Sequence, residues 1–286
     1  MTPISDEVLA RYLARLGVPD RPEPSLTTLI RLHERHVQRI SYHNLDIQLG
    51  IPTGVDPVAN AGRLAGGEAG YCFHLNGAFA ALLSALGFEV TLHRGQVKKG
   101  SALPGGVAFS NHLAMTVSLE GRRWFVDVGL GDGLLVPVPL QPGVVSQPPF
   151  RFELARTPWG WRFTHDPRGS FTVMDWEDPA AQPQDFAEAH HALSTDPNST
   201  FVRRFIVIRR EAGQVLSLVD CVLTHIDETG VQERALATFE DWRRELETTF
   251  GIEITASSTA ALVNLWQRMQ HRVSAARQRS WSMGQE

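Results

Sequence analysis

The spacing of apolar residues between positions 72 and 92 predicts a helix followed directly by a strand. From position 75 they recur at intervals of three and four, as on one helix face, at Leu75, Phe79, Leu82, Leu83 and Leu86. Gly87 stands where glycine is preferred just past a helix end, and residues 88–92 then alternate as in a strand. Cys72 therefore lies in the first helical turn, where the helix dipole stabilises a thiolate, the nucleophilic form of cysteine.

The same patterns predict an α+β chain of three segments. Residues 1–88 are mostly helical, residues 89–190 show short alternating runs broken by glycine and proline, and residues 191–286 mix strands and helices. Predicted helices are 6–16, 25–40, 72–86, 239–249 and 259–273, and predicted strands of the third segment are 205–209 and 215–223. Ser5 and Ser25 are predicted N-caps.

A hairpin predicted at 112–127 brings a histidine towards an aspartate. With residues 120 and 121 as the turn, Asp127 lies opposite Ala114. His112 shares the face of Ala114, and a diagonal pair on one face is within reach of long side chains. A three-residue turn without a bulge would place the two side chains on opposite faces, so the prediction depends on the turn.

Together these elements predict a nucleophile, a base and an orienting acid in the chain order Cys72, His112 and Asp127. The imidazole takes the thiol proton, while the carboxylate fixes the ring tautomer and supports the imidazolium. Taken alone, Cys72 would more often be a small buried apolar residue. Cys221 lies in an alternating apolar run and is interpreted as an inert core thiol.

Composition narrows the function classes. The net charge of −4 over 286 residues gives no indication of nucleic-acid binding, and lysine occurs only at Lys98 and Lys99. Two cysteines are too few for a disulfide framework and favour the reducing cytoplasm. We expect no signal peptide and no membrane span, because no apolar run approaches the roughly 20 residues required. The stretch "KKGSALPGG" lacks the P-loop pattern and is interpreted as a loop near the site.

The motifs around these residues resemble those of arylamine N-acetyltransferases. "EAGYCFHLN" matches the family's cysteine motif Arg-Gly-Gly-x-Cys-x-Glu-x-Asn, "NHLAMTVSL" its histidine strand and "RWFVDVGLGD" its aspartate strand. "ISYHNLD" matches an early motif close to Ile-Pro-Phe-Glu-Asn-Leu-Asp, and "LSTDPNSTFV" resembles the opening of the third domain. The resemblance implies an N-terminal helical bundle, a central β-barrel and a C-terminal α/β lid, with a Cys-His-Asp arrangement like that of cysteine proteases and transglutaminases at the junction of the first two.

The resemblance also implies a ping-pong acyltransferase. An acetyl or other short acyl group would pass from acyl-CoA, most simply acetyl-CoA, through a Cys72 acyl-enzyme to the nitrogen of an arylamine or hydrazine. Acyl-CoA is then a co-substrate, and no permanently bound cofactor or metal is expected. The residues that it assigns to the substrate pocket are Tyr42, Val97, Leu130 and Phe201, and those that it assigns to thioester or CoA contact are Asn111 and Gly129.

The departures from the family pattern concern the surroundings of the triad. The family arginine before the cysteine is Glu68, and the glutamate of the early motif is His43. We expect these two residues to meet as a charge-exchanged pair, which would raise the pKa of His43. The glutamate after the cysteine is His74, interpreted as structural, and a phenylalanine of the aspartate motif is Leu130.

Other functions stay open at this point. The altered Glu68, His74 and Leu130 also fit a biosynthetic amide synthase, which would take its acyl chain from a carrier protein or from CoA. Hydrolysis is a further possibility, because transglutaminases and cysteine proteases share the order Cys-His-Asp. A non-enzymatic alternative is a small-molecule-binding homologue that has lost activity. A metal at Cys72 and His74 is disfavoured, since two ligands without a second pair are weak evidence.

Overall fold

The structure, a computed structural model, describes residues 3–99, 111–254 and 256–283. Its helices are α1 (Asp6–Leu16), α2 (Leu26–Arg39), α3 (Leu45–Gln48), α4 (Pro57–Ala65), α5 (Cys72–Ala85), α6 (Ala187–Thr195), α7 (Thr200–Arg203), α8 (Phe239–Thr248) and α9 (Ala256–Met283). Its strands are β1 (Tyr42–His43), β2 (Glu89–Lys98), β3 (His112–Leu119), β4 (Arg122–Val126), β5 (Val138–Pro139), β6 (Gly143–Gln147), β7 (Phe150–Arg156), β8 (Gly160–Thr164), β9 (Val173–Glu177), β10 (Ile206–Glu211), β11 (Gln214–Val219), β12 (Val222–Asp227) and β13 (Gly230–Ala235). The loop predicted after Lys99 falls mostly on residues 100–110, outside the described ranges.

The N-terminal helices begin and end as their sequence predicts. Ser5 and Ser25 cap α1 and α2 by accepting hydrogen bonds from backbone N–H groups in the first turn, which confirms both predicted caps. Helix α5 is buried on nearly every side because it lies at the centre of the helical part. Helix α4 packs against α5, although the apolar periodicity did not predict it. Its start is marked by Asp56 as N-cap and Pro57 in the first turn.

An eight-stranded antiparallel sheet, in the order β5-β4-β3-β2-β9-β8-β7-β6, forms the middle of the chain. Leu119 pairs with Arg122 across the turn between β3 and β4, which confirms the predicted register. Glu120 and Gly121 have φ angles of 53° and 72°, as a tight two-residue hairpin turn requires. The sheet ends at β5 and β6, so in the described residues hydrogen bonding does not close it into a complete barrel.

A second antiparallel sheet has five strands, in the order β1-β10-β11-β12-β13. Its first strand comes from the N-terminal part of the chain, where Tyr42 pairs with Ile208. The single strand predicted at 215–223 is wrong, because Asp220 has a φ of 50° and the chain turns there between β11 and β12. Helices α8 and α9 contribute to a separate apolar core with this sheet, whereas the N-terminal helices and the eight-stranded sheet share one continuous core.

None of the helices in the described part of the chain is both long enough and apolar enough to cross a membrane.

Candidate active site

Cys72 is the first residue of α5, and its side chain is almost completely buried. The helix has no side-chain cap, since Tyr71 occupies the N-cap position. The thiol therefore lies beside uncapped backbone N–H groups at the positive end of the helix dipole. The Sγ atom is 3.8 Å from the carbonyl oxygen of Asn111, the residue directly before β3. Helix α5 and strand β3 thus bring Cys72 to the beginning of the strand that carries His112.

The predicted approach of His112 to Asp127 is confirmed. The Nε2 atom of His112 lies 2.7 Å from Oδ2 of Asp127, and both side chains are buried. Because a carboxylate accepts, Nε2 carries a proton in both forms of the ring, and in the neutral form Nδ1 is the base. Burial by itself would lower the pKa of His112, but the Asp127 carboxylate and the adjacent Cys72 thiol outweigh burial and raise that pKa to about 10.

The Asp127 carboxylate is fixed from the side opposite His112 by a residue that the sequence analysis missed. The Nδ2 atom of Asn76 donates to Asp127 Oδ1 at 2.9 Å, and its Oδ1 accepts from the Val128 N–H at 2.8 Å. The Gly129 N–H also donates to Asp127 Oδ1, at 2.9 Å. A signal was available, because Asn76 follows Cys72 by one helical turn and therefore shares its helix face.

The backbone of Asp127 is held by His33, a buried residue of α2. The Nε2 atom of His33 lies 3.1 Å from the Asp127 carbonyl oxygen, and Nδ1 lies 3.0 Å from the Leu135 carbonyl oxygen. Burial lowers the pKa of His33 to about 4, despite these two carbonyl contacts and the nearby Asp127 charge. No role for His33 was predicted, because nothing in its local sequence pattern indicates a partner so distant along the chain.

Cys72 and His112 face a cavity of about 340 Å³. The six residues predicted for substrate or thioester contact all line it: Tyr42, Val97, Leu130, Phe201, Asn111 and Gly129. The amide of Asn111 is already engaged, because Oδ1 accepts from the Val97 N–H at 2.7 Å and Nδ2 donates to the Val97 carbonyl at 3.0 Å. Lys98 and Lys99, the start of the stretch interpreted as a loop near the site, also line it. Further lining residues, which were not predicted, are Ser170, Phe171, Leu193, Thr200, Ile206 and Ile208. The wall is thus largely apolar and comes from both sheets.

One side of the cavity is positioned by a buried ion pair. Asp132 accepts hydrogen bonds from the backbone N–H and the hydroxyl of Ser170, both at 2.7 Å. His165 lies 3.5 Å from the same carboxylate. Burial opposes ionisation of both groups, but their mutual attraction prevails, so the pKa of Asp132 is lowered and that of His165 is raised. This pair fixes Ser170, which lines the cavity.

The expected pair of Glu68 and His43 is wrong. The Glu68 carboxylate accepts from Arg63 Nε at 2.9 Å, and Arg63 Nη2 also lies 2.5 Å from Asp46 Oδ2. Burial, followed by the positive charges of Arg63 and Arg15, lowers the pKa of His43 to about 4 instead of raising it. Arg63 of α4 therefore pairs with the Glu68 carboxylate, which was expected to pair with His43.

His74 is a buried histidine beneath the loop that precedes Cys72. Burial, with Arg63 and His190 nearby, lowers the pKa of His74 to about 3, so the ring is neutral. Its Nε2 lies 3.3 Å from Thr53 Oγ1, while Nδ1 has no hydrogen-bond partner among the residues that the structure describes. Among the described residues no group of three or more potential metal ligands occurs.

Cys221, the second cysteine, is buried in the core of the five-stranded sheet and its helices. Burial raises the pKa of Cys221 to about 11. The interpretation of this residue as an inert core thiol therefore agrees with its surroundings.

Comparison with known proteins shows what the chain is similar to. A family model described as N-acetyltransferase matches residues 25–259. The arylamine N-acetyltransferase of Mycolicibacterium smegmatis is 35% identical over 144 residues, which are 49% of this chain and 52% of that protein. Proansamycin X synthase of Amycolatopsis mediterranei is 31% identical over 166 residues, 56% of this chain and 62% of that one. The chain thus spans about half to three fifths of the length of these two relatives.

A solved structure covers more of the chain. The arylamine N-acetyltransferase from Mycobacterium abscessus superimposes with a TM-score of 0.79 at 28% sequence identity, and the match covers 91% of this chain and 94% of that one. The likeness therefore extends over most of the chain.

Proposed function

The chain belongs to the arylamine N-acetyltransferase family, and we propose that it transfers an acetyl or other short acyl group from acyl-CoA to the nitrogen of an arylamine or hydrazine. The observation that carries the proposal is the 2.7 Å hydrogen bond between His112 and Asp127 beside the thiol of Cys72. These three residues are the proposed nucleophile, proton carrier and orienting acid. They support a covalent mechanism in two half-reactions.

The first half-reaction acylates Cys72. In this step His112 takes the proton of the Cys72 thiol, and its pKa of about 10 favours the imidazolium that results near neutral pH. The thiolate sulfur attacks the thioester carbonyl carbon and forms a new S–C bond. The bond between that carbon and the CoA sulfur then breaks, and His112 gives its proton to the departing CoA thiolate.

The second half-reaction returns the enzyme to its starting state. The amine nitrogen attacks the acyl carbon of the Cys72 thioester, and neutral His112 accepts a proton from that nitrogen. The Cys72 sulfur leaves as a thiolate, and the product is an amide. Asp127 keeps the Nε2–H of His112 in place during both steps, so Nδ1 is the atom that carries the proton.

The fold is consistent with separate catalytic roles for three parts of the chain. In this proposal residues 1–88 carry the nucleophile, residues 89–190 carry His112 and Asp127, and residues 191–286 form a lid. The cavity wall includes Ile206 and Ile208 of β10, which supports a substrate contact by the third part. Both cysteines are free, which fits the reducing cytoplasm as the proposed compartment.

Intact-protein mass spectrometry after mixing with a panel of acyl thioesters tests the proposal. With acetyl-CoA we expect the mass to rise by one acetyl group, and a later addition of an arylamine should restore the original mass and yield the amide. Cys72→Ala is the matched control for the site of modification, and Cys221→Ala is the control for the other thiol. An unmodified wild-type protein with every thioester in the panel would contradict the proposal.

A second candidate is a biosynthetic amide synthase that takes an acyl chain from a carrier protein or CoA. The observation that favours it is the similarity to proansamycin X synthase, a relative that is named a synthase. The same panel separates the two candidates when it includes long acyl chains and carrier-bound thioesters. Acylation by a carrier-bound chain but not by acetyl-CoA would favour the synthase.

A further inference from the structure

The two lysines of this chain both line the cavity that holds Cys72 and His112. The chain has 27 lysine and arginine residues, and all of them except these two are arginines. Lys98 ends β2 and is half-buried, while Lys99 follows it and is exposed. Cys72 is buried. The cavity therefore carries a pair of positive charges towards solvent and the nucleophile at its inner end.

The two lysines give the lining of the cavity an excess of positive charge. The described residues that line the cavity include no aspartate or glutamate. Neither lysine has a carboxylate within ion-pair distance in the described part of the chain. By contrast, Arg204 pairs with Asp220 and Arg209 with Glu211, although both arginines lie close in sequence to the cavity wall. The two ammonium groups are thus available to an anionic ligand.

We propose that Lys98 and Lys99 bind the phosphate groups of the acyl donor, which carries its acyl group on a phosphopantetheine arm. This inference rests on the proposed function. An ammonium group is a compact point charge with three donors, which suits a phosphate that can approach from several directions. The largely apolar wall between the lysines and Cys72 accommodates the pantetheine arm. The thioester then lies at Cys72 while the phosphates remain at the solvent end.

The position of the lysines favours the donor over the acceptor as their ligand. A neutral arylamine carries no anionic group, so the two lysine ammonium groups would add nothing to its binding. A CoA-type donor carries several negative charges at the end opposite its thioester. Each half-reaction can be followed alone in a ping-pong enzyme, so the two ligands can be distinguished by experiment.

The test measures the acylation half-reaction with three donors that share the acetyl-pantetheine thioester and differ in the phosphate and nucleotide groups at the other end. Acetyl-CoA, acetyl-4′-phosphopantetheine and acetyl-pantetheine are mixed separately with the wild-type protein and with the double variant Lys98→Gln/Lys99→Gln. Formation of acetyl-Cys72 is followed by intact mass against time. We expect the double variant to lose about tenfold or more in kcat/KM for acetyl-CoA, since each charged contact to a phosphate contributes strongly. The uncharged acetyl-pantetheine should acylate both proteins at equal rates.

The control is Arg122→Gln/Arg151→Gln, which removes two exposed positive charges outside the cavity lining. Equal rates for this control and the wild type with acetyl-CoA would show that net charge alone is not the cause. A loss with acetyl-4′-phosphopantetheine as large as that with acetyl-CoA also supports the proposal, and it assigns the contact to the phosphate shared by CoA and carrier proteins. A loss confined to the CoA donor supports it and assigns the contact to the nucleotide end.

Other outcomes overturn the proposal. Equal rates of the double variant and the wild type with acetyl-CoA would exclude a role in donor binding. An equal loss with acetyl-pantetheine would show that the lysines act on the fold or on the thioester end. A loss confined to the second half-reaction with a carboxylate-bearing amine would assign them to the acceptor. If no donor acylates even the wild type, it is the proposed function that fails.

Discussion

The amide of Asn76 hydrogen-bonds to Oδ1 of Asp127 at 2.9 Å, which leaves Oδ2 of the same carboxylate to His112. Asn76 comes from the helix of the nucleophile, and Asp127 follows the second strand of the hairpin. The carboxylate is therefore oriented by the same helix that positions the thiol. A shift of α5 would disturb the nucleophile and the orientation of the base together.

Asp127→Asn tests the orientation of the base. The replacement keeps the size of the side chain but presents an amide to His112, so the ring would adopt the wrong tautomer. We expect turnover to fall by about 10⁴-fold, as in other triads with this change. Stopped-flow measurement of the acylation step alone should show a comparable loss. A loss below tenfold would mean that Asp127 does not orient His112.

The reactivity of the two thiols tests the ion pair at Cys72. The pKa of His112 is raised to about 10, so the imidazolium persists through neutral pH beside Cys72. The pKa of Cys221 is raised to about 11 by burial. Iodoacetamide at pH 6.5 should therefore alkylate Cys72 and leave Cys221 unmodified, as peptide mass mapping would show.

Two substitutions complete this test. Cys72→Ala should abolish acyl transfer while the fold is kept, and Cys72→Ser should be nearly inactive because a hydroxyl is far less ionised than a thiol. Alkylation of Cys221 before Cys72, or wild-type turnover by Cys72→Ala, would contradict the mechanism.

Buried neutral histidines predict a loss of stability in acid. Burial lowers the pKa values of His33 and His43 to about 4, whereas an unfolded chain has a histidine pKa near 6.5. Between these values the unfolded state binds more protons, so the free energy of unfolding rises with pH in this window. The stabilisation is present above about pH 6.5 and is lost as the pH falls towards 4.

Urea unfolding at several pH values measures this dependence. His43→Gln removes one such group, so the slope of unfolding free energy against pH should decrease by up to about 1.4 kcal/mol per pH unit. The slope is the readout, because the substitution also changes stability at every pH. An unchanged slope between pH 4.5 and 6 would contradict the prediction.

Gly70→Ala tests the packing of His74 beneath the cysteine loop. An added Cβ would lie 2.3 Å from His74 Nδ1, so the imidazole would have to move. We expect a destabilisation of about 1–3 kcal/mol and a slower acylation of Cys72, two residues further on. Adding His74→Ala should restore part of the loss, since it removes the ring that the methyl group meets.

Gly62→Ala is the matched control for this change. Gly62 lies inside α4, and an added Cβ would meet nothing within 4 Å. Alanine there should stabilise the protein by about 0.5–1 kcal/mol in urea unfolding. Equal effects of Gly70→Ala and Gly62→Ala would show that the contact with His74 is unimportant.

The hairpin of His112 and Asp127 was predictable because only local geometry decides it. Once Glu120 and Gly121 form the turn, every pair along β3 and β4 follows from residue numbers, and the faces follow from strand alternation. The same holds for α1 and α2, whose serine caps are visible in the sequence. Periodicity and turn chemistry act over a few residues, and such features can be read from the sequence without tertiary information.

The partner of Glu68 was not predictable in this way. Arg63 reaches Glu68 only because α4 forms, and the buried side of this short helix includes a single large apolar residue, Leu64, beside Pro57, Asn60 and Ala61. His33 lies on α2 and contacts the backbone of Asp127 through space, so no spacing rule relates them. Such contacts depend on how elements pack against one another, and a pair chosen from charge alone was therefore wrong.

The pairing of β1 with β10 has a consequence for how the protein is made. Tyr42 lines the cavity, and its strand partner Ile208 lies far along the chain. A ribosome adds about 5–20 residues per second, so Ile208 is synthesised on the order of ten seconds after Tyr42. From the synthesis of Asp127 until that of Ile208, the nascent chain contains the thiol, the imidazole and the carboxylate without the strand that completes their cavity. Substrate binding is therefore a late event in biosynthesis, acquired only after Ile208 has been translated and β10 can pair with β1.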